Sequence, residues 1–355
     1  MAEQKYPAQQ RAQLFAMSTR QNMQMLPTET VTGGAKTVQF TLPKARLLSS
    51  ILVRVNATVN IKSQASAVPP EDIFTPFKII RRISLDLNNG FSPYTISGEG
   101  AAAYNMIDIH PDILTHDKNN TGAYTYVPGL KASTSGIDNT FSFTLSLPVT
   151  TNPRDAVGMI LLQSNENLTT LSVDLANGGD MLDNAEGYTV EIKNVKITPM
   201  VESFSIPANQ NAIPDLTVLK LVNERFDSLP SSGQQIVKLS TGTIYRKILF
   251  ILEDENGNPM EDRDISAPFQ LVFNQADTNY SIDAEVLRVY NQKMLGYSLP
   301  KGMYVFDFSN SGSFPNLGGT RDFISSENLT EFWLRFNTTK KGKIRVITEC
   351  LSRLV

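Results

Sequence analysis

Histidine is the side chain that most readily exchanges a proton near neutral pH, and this sequence has two, His110 and His116. Both lie in Ile109-His110-Pro111-Asp112-Ile113-Leu114-Thr115-His116-Asp117, with Asp112 and Asp117 at hand to complete a metal shell. Their spacing puts them on no common helix face, so neither a metal clamp nor a histidine-based triad is expected. The densest carboxylate run, Glu253 to Asp264, offers calcium chelation or the acid and base of a glycosidase. Its Gly257 comes too early for an EF-hand loop, and Asn256-Gly257 is hairpin-turn chemistry, so the run reads as a solvated loop. The single cysteine, Cys350, excludes an intrachain disulfide and a cysteine metal cluster. It sits in the strand-like run Ile344 to Leu351, which predicts a buried thiol. No HExxH, GxSxG, GxxxxGK[ST] or GxGxxG motif occurs. No residue is therefore assigned a catalytic, cofactor-binding or metal-binding role, and the expected function is not enzymatic.

The 355 residues, 41% hydrophobic and 19% charged, describe a packed protein long enough for two domains. Thirty-two basic against 35 acidic side chains leave a net charge of −3, which argues against direct binding of nucleic-acid phosphates. The first residues lack the layout of a secretion signal, and apolar runs such as Ile248 to Leu252 are too short to cross a bilayer, so folding in a cytoplasm is expected.

The elements that would position any site are mostly strands. Residues 1–35 are the exception, being rich in Gln, Ala, Met and Arg. They predict a short helix from about Ala8 to Thr19 and then an extended arm ending at Gly33-Gly34. In this arm Lys5, Arg11 and Arg20 stand among Leu14, Phe15, Met17, Met23, Met25 and Leu26. A face of that kind suits an anionic membrane surface or a neighbouring subunit, and a disordered tail is the alternative. From Lys36 the pattern alternates with period two, as in Thr37 to Leu42 and Ile51 to Ile61, and similar runs recur to the end of the chain. The Pro-flanked stretch Ile206 to Pro214 marks a boundary, giving an arm at 1–35 and two β domains at 36–204 and 205–355. Helical texture appears at Gly98 to Ile107 and at Ser281 to Leu295, the second with Ile282, Val286, Val289 and Tyr290 on one apolar face. Trp333 alternates with Phe332, Leu334 and Phe336, which places it in a core or an interface.

Two short matches link the halves. Arg81-Arg82-Ile83 corresponds to Arg246-Lys247-Ile248, and Glu166-Asn167-Leu168-Thr169 to Glu327-Asn328-Leu329-Thr330, in the same order and at nearly equal offsets. The fold class that follows is all-β: two tandem eight-stranded jelly-roll β-sandwiches, with short helices in loops and a helical N-terminal arm.

From Met1-Ala-Glu-Gln-Lys-Tyr-Pro-Ala-Gln-Gln-Arg11 through the Glu-Asn-Leu-Thr repeats, the chain resembles the double jelly-roll major capsid proteins of tailless, membrane-containing icosahedral viruses. It is most similar to the tectivirus coat proteins of bacteriophages. The resemblance covers the whole chain and rests on architecture and overall run. It implies a structural coat protein whose homotrimer is a pseudo-hexagonal capsomer tiling a shell over an internal lipid membrane. The implied partners are further copies of the chain, vertex (penton) and minor capsid proteins, and membrane lipid. Lys5, Arg11, Leu14, Phe15 and Arg20 in the arm would touch neighbours or lipid. The implied place is the virion capsid, assembled in the cytoplasm of a bacterial host, with no cofactor. Two other readings stay open: a jelly-roll spike or receptor-binding virion protein, and a carbohydrate-binding or sugar-active β-sandwich protein using Glu255 and Glu261.

Overall fold

A computed structural model of the chain describes residues 8–44, 46–64, 68–70, 72–87, 90–116, 129–151, 157–162, 169–182, 186–309 and 323–353. Packing divides them into two compact units, the chain passing from the first to the second between Lys220 and Leu221, while Met106–Asp108 pack with the second.

The first unit opens with helix α1 (Ala8–Ser18). Its strands are β1 (Gln21–Met25), β2 (Glu29–Val31), β3 (Thr37–Thr41), β4 (Leu47–Ser63), β5 (Ile80–Leu87), β6 (Phe91–Ile96), β7 (Thr115–His116), β8 (Ile137–Pro148), β9 (Ile160–Leu161), β10 (Thr170–Leu175) and β11 (Tyr188–Phe204). One sheet runs β1–β11–β4–β8–β7, with β2 also on β11 and β9 on β4; the other runs β6–β5–β10–β3. Period-two alternation explains β4. Ile51, Val53, Val55, Ala57, Val59 and Ile61 are buried, while Arg54, Asn56, Thr58 and Lys62 take the other face. Helix α2 (Gly98–Asn105) is buried along nearly its whole length. It fits because Gly98 has no side chain: a Cβ there would lie 2.2 Å from the Phe77 carbonyl oxygen. The short α3 (Pro111–Leu114) follows.

The second unit contains β12 (Val218–Leu229, from Leu221 onward), β13 (Gly233–Leu239), β14 (Ile244–Asp254), β15 (Ile265–Phe273), β16 (Asp277–Ile282), α4 (Ala284–Leu295), β17 (Met303–Asp307), β18 (Ile324–Ser325), β19 (Phe332–Thr338) and β20 (Gly342–Arg353). Its sheets are β17–β14–β20–β12, with β18 on β14, and β13–β19–β15–β16. Aromatic rings fill the space between them. Phe250 meets Phe269 edge-on at 4.9 Å, and Phe269 also packs on Tyr304 at 4.9 Å and Phe336 at 5.5 Å.

The two units share one topology. Let β1 and β2, interrupted at Pro27, count as the first strand of the first unit and β12 as that of the second. In each, one sheet then runs first, eighth, third, sixth and the other second, seventh, fourth, fifth, which is a jelly roll built twice. A helix follows the fifth strand in both, α2 after β6 and α4 after β16. In both, an asparagine of that helix clamps the sixth strand. Asn105 accepts from the Ser146 N–H at 2.6 Å and donates to the Ser146 carbonyl at 2.8 Å. Asn291 accepts from the Val305 N–H at 3.0 Å and donates to its carbonyl at 2.8 Å.

Several expectations are corrected. The segment after α1 is no free arm: β1 and β2 pair with Met200–Phe204 and Val195–Ile197 of β11 and supply the first strand of the first roll. The expected boundary at residue 205 falls earlier than the change in packing. Ile206 and Leu216 still pack on Phe15, Leu47 and Met159, which keeps the connecting loop on the first unit. The Arg81 and Arg246 motifs lie on non-equivalent strands, the fourth (β5) and the third (β14). The Glu327 motif opens the seventh strand, β19, as Thr169 opens β10; Glu166, Asn167 and Leu168 lie outside the described residues. In α4 the buried positions are Ala284, Leu287, Asn291 and Met294, whereas Val286, Val289 and Tyr290 are exposed and Ile282 belongs to β16. A polar residue at an inward position disguised the helix's phase.

Candidate functional site

The residues with chemical potential are tied into structure. His110 is exposed in the loop after α2. His116 lies in β7, its backbone paired with Ser142 of β8. In the acidic run Gly257 adopts a φ of 83°, and its N–H donates to the Asp254 carbonyl at 3.0 Å, closing the expected hairpin. The Asp254 carboxylate accepts from the backbone N–H groups of Asn256 and Asn258, both at 2.9 Å. Burial alone would raise its pKa, but these bonds and Lys340 hold it below the usual aspartate value.

The other carboxylates of the run each meet a cation. Glu253 pairs with Lys343 at 2.8 Å, Glu255 with Lys341, Glu261 with Lys301 at 2.9 Å, Asp262 with Arg288 at 2.6 Å and Asp264 with Lys340 at 3.0 Å. Asp264 is lowered in the same sense as Asp254: burial opposes, while Lys340 and the Glu261 N–H prevail. A glycosidase needs one carboxyl held protonated beside another, and here Glu261 is lowered by Lys301 and Arg263. No group of three or more His, Cys, Asp or Glu among the described residues could hold a metal. Cys350 is buried, and desolvation pushes its thiol up to about 12, leaving it unreactive at neutral pH.

The N-terminal candidates divide by exposure. Lys5 lies outside the described residues, and Arg11 falls in α1. Leu14 is half-buried and Phe15 is buried, its ring 5.4 Å from that of Phe204. Arg20 is exposed, and its backbone is fixed: its N–H donates to Ser205 Oγ and its carbonyl accepts from the Ser205 N–H, both at 2.9 Å. What α1 and β1 present outward is Met17, Arg20, Met23 and Met25, with Met17 86% exposed. Phe15 therefore anchors the segment to its own roll, and the three methionines stay exposed.

Two further surfaces lie in the second unit. The register of β13, β19 and β15 pairs Ile236 and Gln270 with Arg335, and Lys238 with Trp333, all on the sheet face opposite the aromatic core. Phe332, Leu334 and Phe336 point into that core, so Trp333, the chain's single tryptophan, stands half-buried on the outside. The second surface is the ridge of α4 formed by Val286, Val289 and Tyr290, with exposed Glu285 at its N-terminal end.

No protein-family model matches the chain, and no curated protein matches it. Solved structures do. The major capsid protein of Sulfolobus turreted icosahedral virus superposes with a TM-score of 0.67 at 13% identity, over 94% of this chain and 97% of that one. A capsid model of the virus PBCV-1 gives 0.60 at 11% identity, over 94% of each chain. The major capsid protein of bacteriophage PM2 gives 0.56 at 10% identity, over 95% and 98%. At these identities the likeness is one of fold, and along nearly its whole length this chain has the double jelly-roll fold of viral major capsid proteins.

Proposed function

We propose that this chain is the major capsid protein of an icosahedral virus. The observation that carries the reading is end-to-end likeness to coat proteins, since the match covers 94% of this chain and 97% of the other. Three copies form a capsomer whose six rolls approximate a hexagon, and capsomers tile the shell. As in the tectivirus-type bacteriophages that the sequence resembles, the shell encloses a lipid membrane, and vertex and minor capsid proteins complete it. Assembly takes place in the cytoplasm of the bacterial host. The sandwiches serve as rigid blocks. Many weak contacts between copies add up through multivalency, and each stays reversible enough to correct assembly errors. Met17, Arg20, Met23 and Met25 meet a neighbouring capsomer or the lipid surface, methionine being a side chain that adapts to irregular contacts.

Light scattering on the purified chain tests this reading. The expected result is a heat-resistant species of about three times the 39.3 kDa chain mass, with the chain seen in the shell rather than in projecting spikes when virions are imaged. A stable monomer overturns it.

A further inference from the structure

The fifth strands of the two rolls correspond residue for residue. They end in Tyr94-Thr95-Ile96 in β6 and Tyr280-Ser281-Ile282 in β16. In both, an extra residue bulges out just before the tyrosine: Tyr94 and Phe91 face Leu85 and Leu87, and Tyr280 and Thr278 face Leu271 and Val272. The residue after each isoleucine opens the helix. The Ala101 N–H donates to the Ser97 carbonyl and the Leu287 N–H to the Asp283 carbonyl, both at 2.8 Å.

Their outer edges differ. Strand β6 has β5 on one edge and β12 on the other, β12 starting at Val218 within the first unit. There Leu219 and Lys220 are each 3% exposed. Strand β16 has β15 on one edge and, among the described residues, no strand on the other. The first strand of the first roll is open in the same way: β1 has only β11 beside it, and Gln21, Met23, Gln24 and Met25 are exposed. It contains neither proline nor a charged residue, the usual guards against strand addition.

The alternation of antiparallel hydrogen bonds shows what these edges offer. The Arg20 carbonyl accepts from the Ser205 N–H and the Leu26 N–H donates to the Pro199 carbonyl, both at 2.9 Å. Asn22 and Gln24 therefore bond β11, while the backbone groups of Gln21, Met23 and Met25 point to the open edge. In β15 the Asn274 N–H donates to the Glu331 carbonyl at 3.0 Å, so Phe273, Leu271 and Phe269 bond Asp277, Tyr280 and Ile282 of β16. Ser281 is left with its N–H and C=O on the open edge.

We propose that the pairing of a first strand with a fifth strand, made within the chain by β12 and β6, is made again between copies: β1 of one copy adds to the open edge of β16 of the next. A joint between unlike edges repeats head to tail. In three copies it closes a ring in which each second roll meets the first roll of a neighbour. This joint rests on the capsomer reading and names the edges that join the copies. Side chains stand perpendicular to a sheet, so Met23 and Met25 stay free for the contact proposed above.

Proline is tolerated on an edge strand where the N–H that it removes faces outward. Met23→Pro and Ser281→Pro thus each take one donor from the joint and spare the pairing with β11 and β15. Both are made in the full-length chain, checked for folding by circular dichroism, and followed by light scattering during heating. Each is expected to lower the temperature at which trimers dissociate by about 5 °C or more. Hydrogen exchange at residue resolution on the unaltered trimer needs no variant and decides the matter should a variant fail to fold. The amides of Met23 and Ser281 are expected to exchange at least a hundredfold slower than in an unstructured chain. If the unaltered chain is trimeric but these amides exchange near the unstructured rate, or the folded variants dissociate at the unaltered temperature, the joint is wrong while the capsomer reading stands. A monomeric unaltered chain overturns both.

Discussion

At the scale of single residues, the chain depends on polar side chains placed where the backbone needs them. Asn105 and Asn291 are each 3% exposed, and each closes a two-bond ring on one peptide of the sixth strand of its roll. Replacing such a group with alanine removes both bonds and leaves a buried N–H and C=O without partners. Asn291→Ala is expected to destabilise the second unit by about 2–4 kcal/mol, since an unsatisfied buried group costs roughly 1–3 kcal/mol. Denaturant unfolding measures it, and a loss under about 0.5 kcal/mol would show the clamp to be idle. The sequence carries a trace of this pair, Tyr104-Asn105 and Tyr290-Asn291, but a dipeptide is too short to find without knowing which helices correspond. The longer Arg81 and Arg246 motifs looked stronger and lie on non-equivalent strands and in different surroundings: Arg81 and Arg82 are exposed, whereas Arg246 and Lys247 are buried against Glu349 and Asp108.

At the scale of elements, alternation revealed the long strands and missed those held by tertiary pairing. The β4 run was legible because one face is Ile, Val and Ala and the other polar. The Gln21–Met25 segment has no such pattern, and its extended form comes from backbone pairing with Met200–Phe204. Helix α1 was legible from composition, while its role was not, since Phe15 gains its meaning from Leu47, Met159 and Phe204, far away in sequence. Phe15→Ala is expected to cost the first unit about 3–5 kcal/mol, the range for an aromatic side chain removed from a core. It should also speed proteolysis within residues 8–26, because α1 loses its buried anchor. Limited proteolysis with mass spectrometry reads the second effect. Unchanged cleavage would mean that strand pairing alone holds the segment. The Trp333 surface was half legible: alternation put the indole opposite three core residues, and only strand register showed which neighbours share its face.

At the scale of the whole molecule, the two rolls share a topology, and each ties charged groups into its fold, Asp174 meeting Arg82 at 3.0 Å in the first unit. The second unit ties several charged groups into its fold. Lys247 would be lowered by burial, but Asp108, Glu349 and Asp307 hold it above the usual lysine value. Asp254 and Asp264 are held below the usual aspartate value of 3.8. The signs fix a pH window. A lowered carboxyl contributes stability that is fully present above its unfolded value and is lost as pH falls through its folded value. A raised ammonium contributes stability that is fully present below its unfolded value, here 10.5, and is lost as pH rises through its folded one. The second unit is therefore expected to be most stable between about pH 4 and pH 10. On acidification the hairpin between β14 and β15 should loosen first, because Asp264 joins Lys340 to the Glu261 N–H there. Losing that carboxylate costs on the order of 1 kcal/mol, or a few degrees in melting temperature for a unit of this size. Hydrogen exchange followed by mass spectrometry measures it locally. Peptides spanning 253–273 should lose protection as pH falls below about 4, after correction for intrinsic exchange, ahead of peptides spanning β4 and β11 of the first unit. Equal loss in both sets would place the acid-sensitive groups elsewhere, and the acidic run would then be only a solvated loop.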